Sequence, residues 1–367
     1  MPFSDFRGNA DTVNHLRDML GRDRLPQSII LAGPTGCGKY TLSLMLAKAM
    51  NCLTPPTTDG PPDFCSHCAN CVRIAQSEDL ESRFSEAVEA RENLRETDKK
   101  ETRLFVQTHP DVLIVPPDPP QMMIKVDQVR RVIETIYYRP AEAKERVYIF
   151  TESCFMKEAA NSLLKILEEP PEYATIILLA DNPGELLPTI RSRSMLITLC
   201  VLSIDQIEEY LAKLRPEWSA KQRALVARLS EGAVGRACGF DLAAYISSRD
   251  HALIILNSAL RSSDHSELFK ATETYRAGAE SRDKTEKLIR TIYLLLQDLL
   301  FLNSGAPELV RNTDIQPELQ KLVQSADFEW VAFAADRLAE VERGMRRNLM
   351  RSLSLDALAV SLERQAV

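Results

Sequence analysis

The sequence predicts an α/β fold, a parallel sheet with helices on both faces, continuing into an all-helical region. Three observations predict it. Apolar runs at 28–32, 111–115, 147–150 and 175–180 alternate with helical patterns, as expected for strands buried on both faces of a parallel sheet. A glycine-rich turn joins the first run to the first of these helices. Beyond residue 200 the strand runs stop, and apolar residues recur at helical spacing.

The first run, Ser28-Ile29-Ile30-Leu31-Ala32, enters Gly33-Pro34-Thr35-Gly36-Cys37-Gly38-Lys39-Tyr40, and Leu42, Leu46, Ala49 and Met50 mark the helix that leaves it. Strand, loop and helix in this order are the context a phosphate-binding loop requires. Glycines let backbone N–H groups turn inward as an anion nest, the helix N-terminus adds its positive end, and Lys39 can reach outer phosphates. Gly33, Thr35, Gly36, Cys37, Gly38, Lys39, Tyr40 and Thr41 are therefore the candidate contacts to ATP or ADP. Position 40 should carry a Ser or Thr hydroxyl for magnesium, and it carries Tyr. Thr41 lies one residue on, roughly 100° around the helix. The loop suits a nucleotide, or descends from one that did, and is badly equipped to hydrolyse it.

At 367 residues, two or three domains are expected. Hydrophobic residues at 45% and charged residues at 26% fit a soluble globular protein, and no apolar run is long enough for a membrane span. Eight cysteines with no secretory signal at Met1-Pro2-Phe3-Ser4-Asp5 predict a reducing cytoplasm, where clustered cysteines mean metal. A net charge of −7 opposes a protein that coats nucleic acid by itself, including a zinc-dependent DNA-binding module.

Residues 3–24 read as an entry segment and one amphipathic helix carrying Val13, Leu16 and Leu20. After the loop helix, Cys52, Cys65, Cys68 and Cys71 stand at Cys-x12-Cys-x2-Cys-x2-Cys, a spacing that closes a tetrahedral thiolate site for a structural zinc. An iron–sulfur cluster would want its fourth cysteine shortly downstream before a proline, which is missing. His67 is an alternative to one thiolate. From Arg73 to Arg103 both charges are dense, with Leu80, Phe84, Val88 and Leu94 at loosely helical spacing, which predicts a solvated helical insertion or a partner-binding arm. Next, the run Asp111–Val115 precedes a helix that Asp127 can cap, with Val129, Val132, Ile133 and Ile136 inward and Arg130 and Arg131 outward. The run Val147–Phe150 ends at Thr151-Glu152, where a phosphate-loop ATPase places an acidic pair and only Glu152 is acidic. A helix from Ala159 to Glu169 is stopped by Pro170-Pro171, and the run Thr175–Ala180 leads to Asp181-Asn182-Pro183 and Arg191-Ser192-Arg193-Ser194. Ile207, Tyr210, Leu211 and Leu214 open a short helical region closing at Glu231–Arg236, and apolar helices follow at Leu288–Leu302 and Trp330–Leu362.

The loop at 33–40, the four cysteines, His109-Pro110-Asp111, the run Ala160–Pro171 and Ser192-Arg193-Ser194 together resemble the AAA+ clamp-loader subunits of bacterial DNA polymerase III. Order and spacing match over residues 1 to about 240, the charged insertion apart. The resemblance implies an α/β P-loop AAA+ domain at 1–201, with a zinc module at about 51–72 and the insertion at about 73–108. It also implies a small helical lid at 202–242 and an all-α collar for oligomerisation at 243–367. Motor subunits of the family carry Thr after the loop lysine and an Asp-Glu pair on the third strand, whereas the delta prime type usually lacks one or both. Tyr40 and Thr151-Glu152 resemble the latter. Gly235 falls where motor subunits keep a nucleotide-sensing arginine, with Arg236 one residue later. The family's Ser-Arg-Cys triplet supplies an arginine finger to a neighbour's ATP, and Arg193 takes that position, with Ser194 in place of Cys. The implied partners are the motor subunits and the delta subunit in a heteropentamer, the sliding clamp and primed DNA, with no membrane. A motor-type ATPase of the same family is the alternative.

Overall fold

The computed structural model describes residues 2–56, 61–261, 266–275, 279–345 and 351–363. These group into two units, the first running to Ser203 and including Gly232–Arg236, the second formed by Ile204–Glu231 and the chain from Ala237 onward.

The first unit is built on six strands, β1 (Ser28–Ala32), β2 (Val106–His109), β3 (Val112–Val115), β4 (Arg146–Phe150), β5 (Ala174–Ala180) and β6 (Met195–Thr198), in the order β2-β3-β4-β5-β1-β6. All neighbours are parallel except β2 and β3, so the expected parallel sheet gains one antiparallel edge strand. Val106–His109 is therefore sheet, not the tail of an insertion reaching residue 108. Alternate side chains of each strand go to opposite faces. Ile29, Leu31, Ile177 and Leu179 pack with α1 (Ala10–Gly21) and α2 (Lys39–Asn51), while Ile30, Ala32, Ile176 and Leu178 enter a second core. Cys52, Phe64, Cys71 and Ile74 extend the first core, Ile74 from α3 (Ala69–Ala75).

The charged stretch folds as α4 (Leu80–Glu92) and α5 (Glu96–Glu101), and α4 buries no residue fully. It is tied down, however, at Asp118, whose side chain is wholly buried. Arg91 bonds its Oδ1, and Lys125 Nζ lies 3.1 Å and Arg103 4.0 Å from Oδ2. The second core is completed by Val129, Val132 and Ile136 of α6 (Val126–Ile136) and by Leu163, Ile166 and Leu167 of α7 (Lys157–Glu168). Asp127 does not cap α6. The helix starts two residues earlier, with Lys125 as its N-cap, and the Gln128 side chain accepts the Lys125 N–H at 2.9 Å, leaving Asp127 to pair with Arg103 at 2.8 Å. The short α8 (Pro188–Arg191) precedes β6.

The predicted strand at 111–115 begins at Val112, because Asp111 works in the turn. Its carboxylate accepts the N–H groups of Ala141, Glu142 and Ala143 at 2.8–3.0 Å, and these bonds, with Arg146, outweigh burial and hold its pKa below the usual carboxylate range. His109 is fully buried, its Nδ1 accepts the Asp111 N–H at 3.1 Å, and burial lowers its pKa. The unfolded chain therefore takes this proton first on acidification, so stability is present above pH ~6.5 and is lost as pH falls toward the depressed folded value, at up to about 1.4 kcal/mol per pH unit. Urea midpoints at pH 7.5 and 5.5 check this, since His109→Gln should flatten that part of the profile.

The second unit is helical, with α9 (Ile204–Leu214), α10 (Ala220–Leu229), α11 (Val234–Cys238, whose first three residues group with the first unit), α12 (Leu242–Arg261), α13 (Ser266–Glu273), α14 (Ala279–Asn303), α15 (Gln316–Val323), α16 (Phe328–Met345) and α17 (Arg351–Glu363). The described residues of the apolar stretch 330–362 belong to α16 and α17, and Ile255, Leu288, Ile292, Leu295, Trp330, Leu338 and Leu355 form one core. No described helix is long and apolar enough to cross a membrane.

Candidate nucleotide loop and metal centre

Strand order places the phosphate loop. β1 lies between β5 and β6, the Gly33 N–H donates to Ala180 O at 3.1 Å, and the Leu199 N–H donates to Ala32 O at 2.7 Å. Gly33 has φ 146°, and a Cβ there would sit 2.5 Å from Leu199 O, so no other residue fits. At Gly36 (φ 86°) a Cβ would meet Arg236, and the Gly36 carbonyl accepts the Gly235 N–H at 2.8 Å.

Lys39, the first residue of α2, is nearly buried and folds its amine back to Gly33 O at 2.6 Å, Pro34 O at 3.1 Å and Asp181 Oδ1 at 2.7 Å. The Thr35 hydroxyl donates to the other oxygen of Asp181. Cys37 is buried, which pushes its thiol pKa up against the pull of Lys39. Gly38 precedes α2 with φ 98°, and Thr41 is exposed.

Tyr40 turns away from this cluster. Its hydroxyl donates to Ser77 O at 2.6 Å, beyond the end of α3, its ring packs on the first core, and burial, with Glu78 nearby, raises its pKa. Thr151 follows β4, where its N–H donates to Val115 O at 3.2 Å. Glu152 follows, its pKa raised by partial burial and by Asp181 and Glu185, against Lys39.

Arg193 follows α8 and is half-exposed. Its Nη1 donates to Thr189 O at 3.0 Å, and its Nη2 bonds Glu168 Oε1 at 2.8 Å. Ser194 takes a structural position, its hydroxyl 2.7 Å from that of Ser28 on β1.

The end of α2 and the start of α3 bring the four cysteines together. Cys52 follows α2, Cys68 caps α3 and Cys71 lies within it, and the four sulfurs fall within 4.8 Å of one another. A tetrahedral zinc with sulfurs at about 2.3 Å needs edges of about 3.8 Å, so this donor set fits the ion. Backbone N–H groups of Cys65, Cys68 and Leu53 point to Cys52, Cys65 and Cys68 sulfurs at 3.3, 3.2 and 3.5 Å, which suits thiolates. His67 is outside the group, its Nδ1 being 2.8 Å from Cys65 O.

Sequence reasoning missed Asp181 as a loop partner. The only signal was a carboxylate directly after an apolar run, and its meaning depends on β5 lying beside β1.

A family model described as DNA polymerase III, delta subunit, matches residues 8–203, more than half of the chain. Among curated proteins, DNA polymerase III subunit tau of Escherichia coli is 27% identical over 63% of this chain and 31% of its own length. DNA polymerase III subunit delta' of Bacillus subtilis is 29% identical over 53% of this chain and 49% of its own length. The chain thus spans from about a third to about half of these relatives. A crystal structure of a DNA polymerase III gamma-subunit-related protein from Thermotoga maritima superposes with a TM-score of 0.44 at 18% identity, covering 96% of this chain and 100% of that one.

Proposed function

Because the chain belongs to the DNA polymerase III delta subunit family, we propose that it is a non-motor, delta prime type subunit of a bacterial clamp loader. In this reading it assembles with the ATP-hydrolysing subunits and the delta subunit into a heteropentamer that places the sliding clamp on primed DNA. Arg193 completes a neighbour's ATP site, and Cys52, Cys65, Cys68 and Cys71 hold a structural zinc. Residues 1–201, 202–242 and 243–367 serve as nucleotide fold, lid and collar.

The observation that carries the non-motor reading is the Tyr40 hydroxyl bonded to Ser77 O at 2.6 Å. A motor needs a short hydroxyl on magnesium at that position and a carboxylate at the end of β4. Here the first is a phenol committed to the backbone elsewhere, and the second is Thr151. ATP turnover by the purified chain with magnesium is expected to equal that of a Lys39→Ala control. A second reading, a motor-type ATPase, is favoured by the intact glycines and Lys39 and by 27% identity to the tau subunit. Lysine-dependent turnover in the same assay would establish it and overturn the first.

A further inference from the structure

We propose that Asp181 stands in for a phosphate group in the loop at 33–40, so that the loop is a latent nucleotide site gated by this one carboxylate. The inference rests on reading the loop as a phosphate site, and it concerns binding, not turnover.

An ammonium group has three donors. All three of Lys39 are taken, by Gly33 O at 2.6 Å, Pro34 O at 3.1 Å and Asp181 Oδ1 at 2.7 Å. The second carboxylate oxygen accepts from Thr35, a side chain of the loop itself. One anionic group therefore bridges the lysine and a hydroxyl of the loop with two oxygens, much as two oxygens of a phosphate would. Its seat is rigid. Ala32 and Ala180 are register partners in the parallel β1–β5 pair, so the residue after Ala180 is delivered to the mouth of the loop by the sheet.

The electrostatics agree with the geometry. Burial raises the Asp181 pKa, but the bonds from Lys39 and Thr35 and the charges of Lys39 and Arg236 outweigh it, so the group is held below the usual carboxylate range. It is a full anion at neutral pH. An incoming phosphate would have to take Lys39 from it and then lie beside a like charge. The other parts of the site, positive-φ glycines 33, 36 and 38 leading to the N-terminus of α2, remain as a phosphate would require. Removing the charge, without touching the glycines or Lys39, should therefore open the site.

The test is equilibrium binding of ATP and ADP, with magnesium, to the full chain as wild type, Asp181→Asn and Asp181→Asn/Lys39→Ala. Asp181→Asn is expected to bind at least about tenfold more tightly than wild type, with the gain abolished in the double variant. Asp181→Ser also removes the charge and should reproduce the gain, and thermal unfolding of each variant identifies any that fails to fold. Equal affinity in wild type and both folded single variants overturns the proposal, whether that affinity is high or undetectable, as does a gain that survives loss of Lys39. The outcome is separable from the clamp-loader reading. Asp181→Asn that binds and also hydrolyses ATP would uphold the gate and sink the non-motor assignment, whereas failure to bind leaves Arg193 acting in trans untouched.

Discussion

Replacing Arg193 with alanine is expected to lower ATP turnover at the one neighbouring site it completes by about 10³-fold or more, the range an arginine finger contributes to phosphoryl transfer, so that turnover by the assembled clamp loader falls by that site's share while assembly stays intact. A guanidinium in trans neutralises charge that develops on the transferred group, and its planar fork meets two phosphate oxygens at once. Arg193 is suited to this by what holds it. Its contacts, to Thr189 O at 3.0 Å and to Glu168 at 2.8 Å, set the direction of the side chain while leaving it half-exposed. An exposed pair of this kind is worth about 0–1 kcal/mol, so a phosphate can compete for the guanidinium with little loss. Arg193→Lys keeps the charge without the fork and should recover only part of the rate. Alanine leaves the fold alone, since no buried group loses a partner. Turnover by the reconstituted assembly, with gel filtration as the control for integrity, decides the matter. Unchanged turnover in an intact assembly removes the finger from the reading.

How much of this was legible follows from which interactions are local. β1, β3, β4 and β5 are nearly continuous apolar runs because they are buried on both faces, and they stand out in the sequence. β2 and β6 do not, being four residues each, one carrying Gln107 and Thr108 and the other an exposed Leu196. They are strands because a neighbour offers an edge. The glycines of the loop and the cysteine spacing are equally local signals, and the four sulfurs do converge. The start of α6 was misplaced because Gln128, not Asp127, reaches the free backbone N–H.

Two features depend wholly on tertiary placement. Asp181 meets Lys39 only because strand order puts β5 next to β1, and Asp118 gathers Arg91, Arg103 and Lys125 from three separate segments. The second explains why a charged stretch that reads as solvated is nevertheless fixed. Its exposed face is polar, but two of its cations neutralise a carboxylate that is wholly buried, and a buried charge without partners would be strongly unfavourable.

The cysteine cluster makes the second large prediction. The purified protein should carry about one zinc per chain, and its removal should destabilise the first unit by about 3 kcal/mol, roughly 6–12 °C in Tm for a unit of this size. The sign follows from where the thiols sit. Cys52 and Cys71 are 2% and 0% exposed and belong to the same core as α2, so the module is not a detachable appendage. Burial raises the pKa of both, with neighbouring thiols adding to it at Cys71, whereas at Cys65 bonds from Thr54, His67 and Cys68 overcome burial and bring the pKa down to about 5. Without a cation the four groups cannot all ionise. With one they can, and the protons they release make zinc affinity rise with pH. Cys71→Ser, at the buried end of the site, should therefore cost more stability than Cys65→Ser at the half-exposed end. The two variants separate a metal site from a cluster of inert buried thiols, since in the latter Cys65→Ser would be neutral and a chelator would leave Tm unchanged. Metal analysis finding iron, or none, would remove the zinc. The position of the cluster also sets its reach: α3 runs from Cys68 toward Ser77, whose carbonyl holds the Tyr40 hydroxyl at 2.6 Å. Loss of the metal should consequently loosen Tyr40, and the absorbance of this buried phenol offers a readout of the site that is independent of Tm.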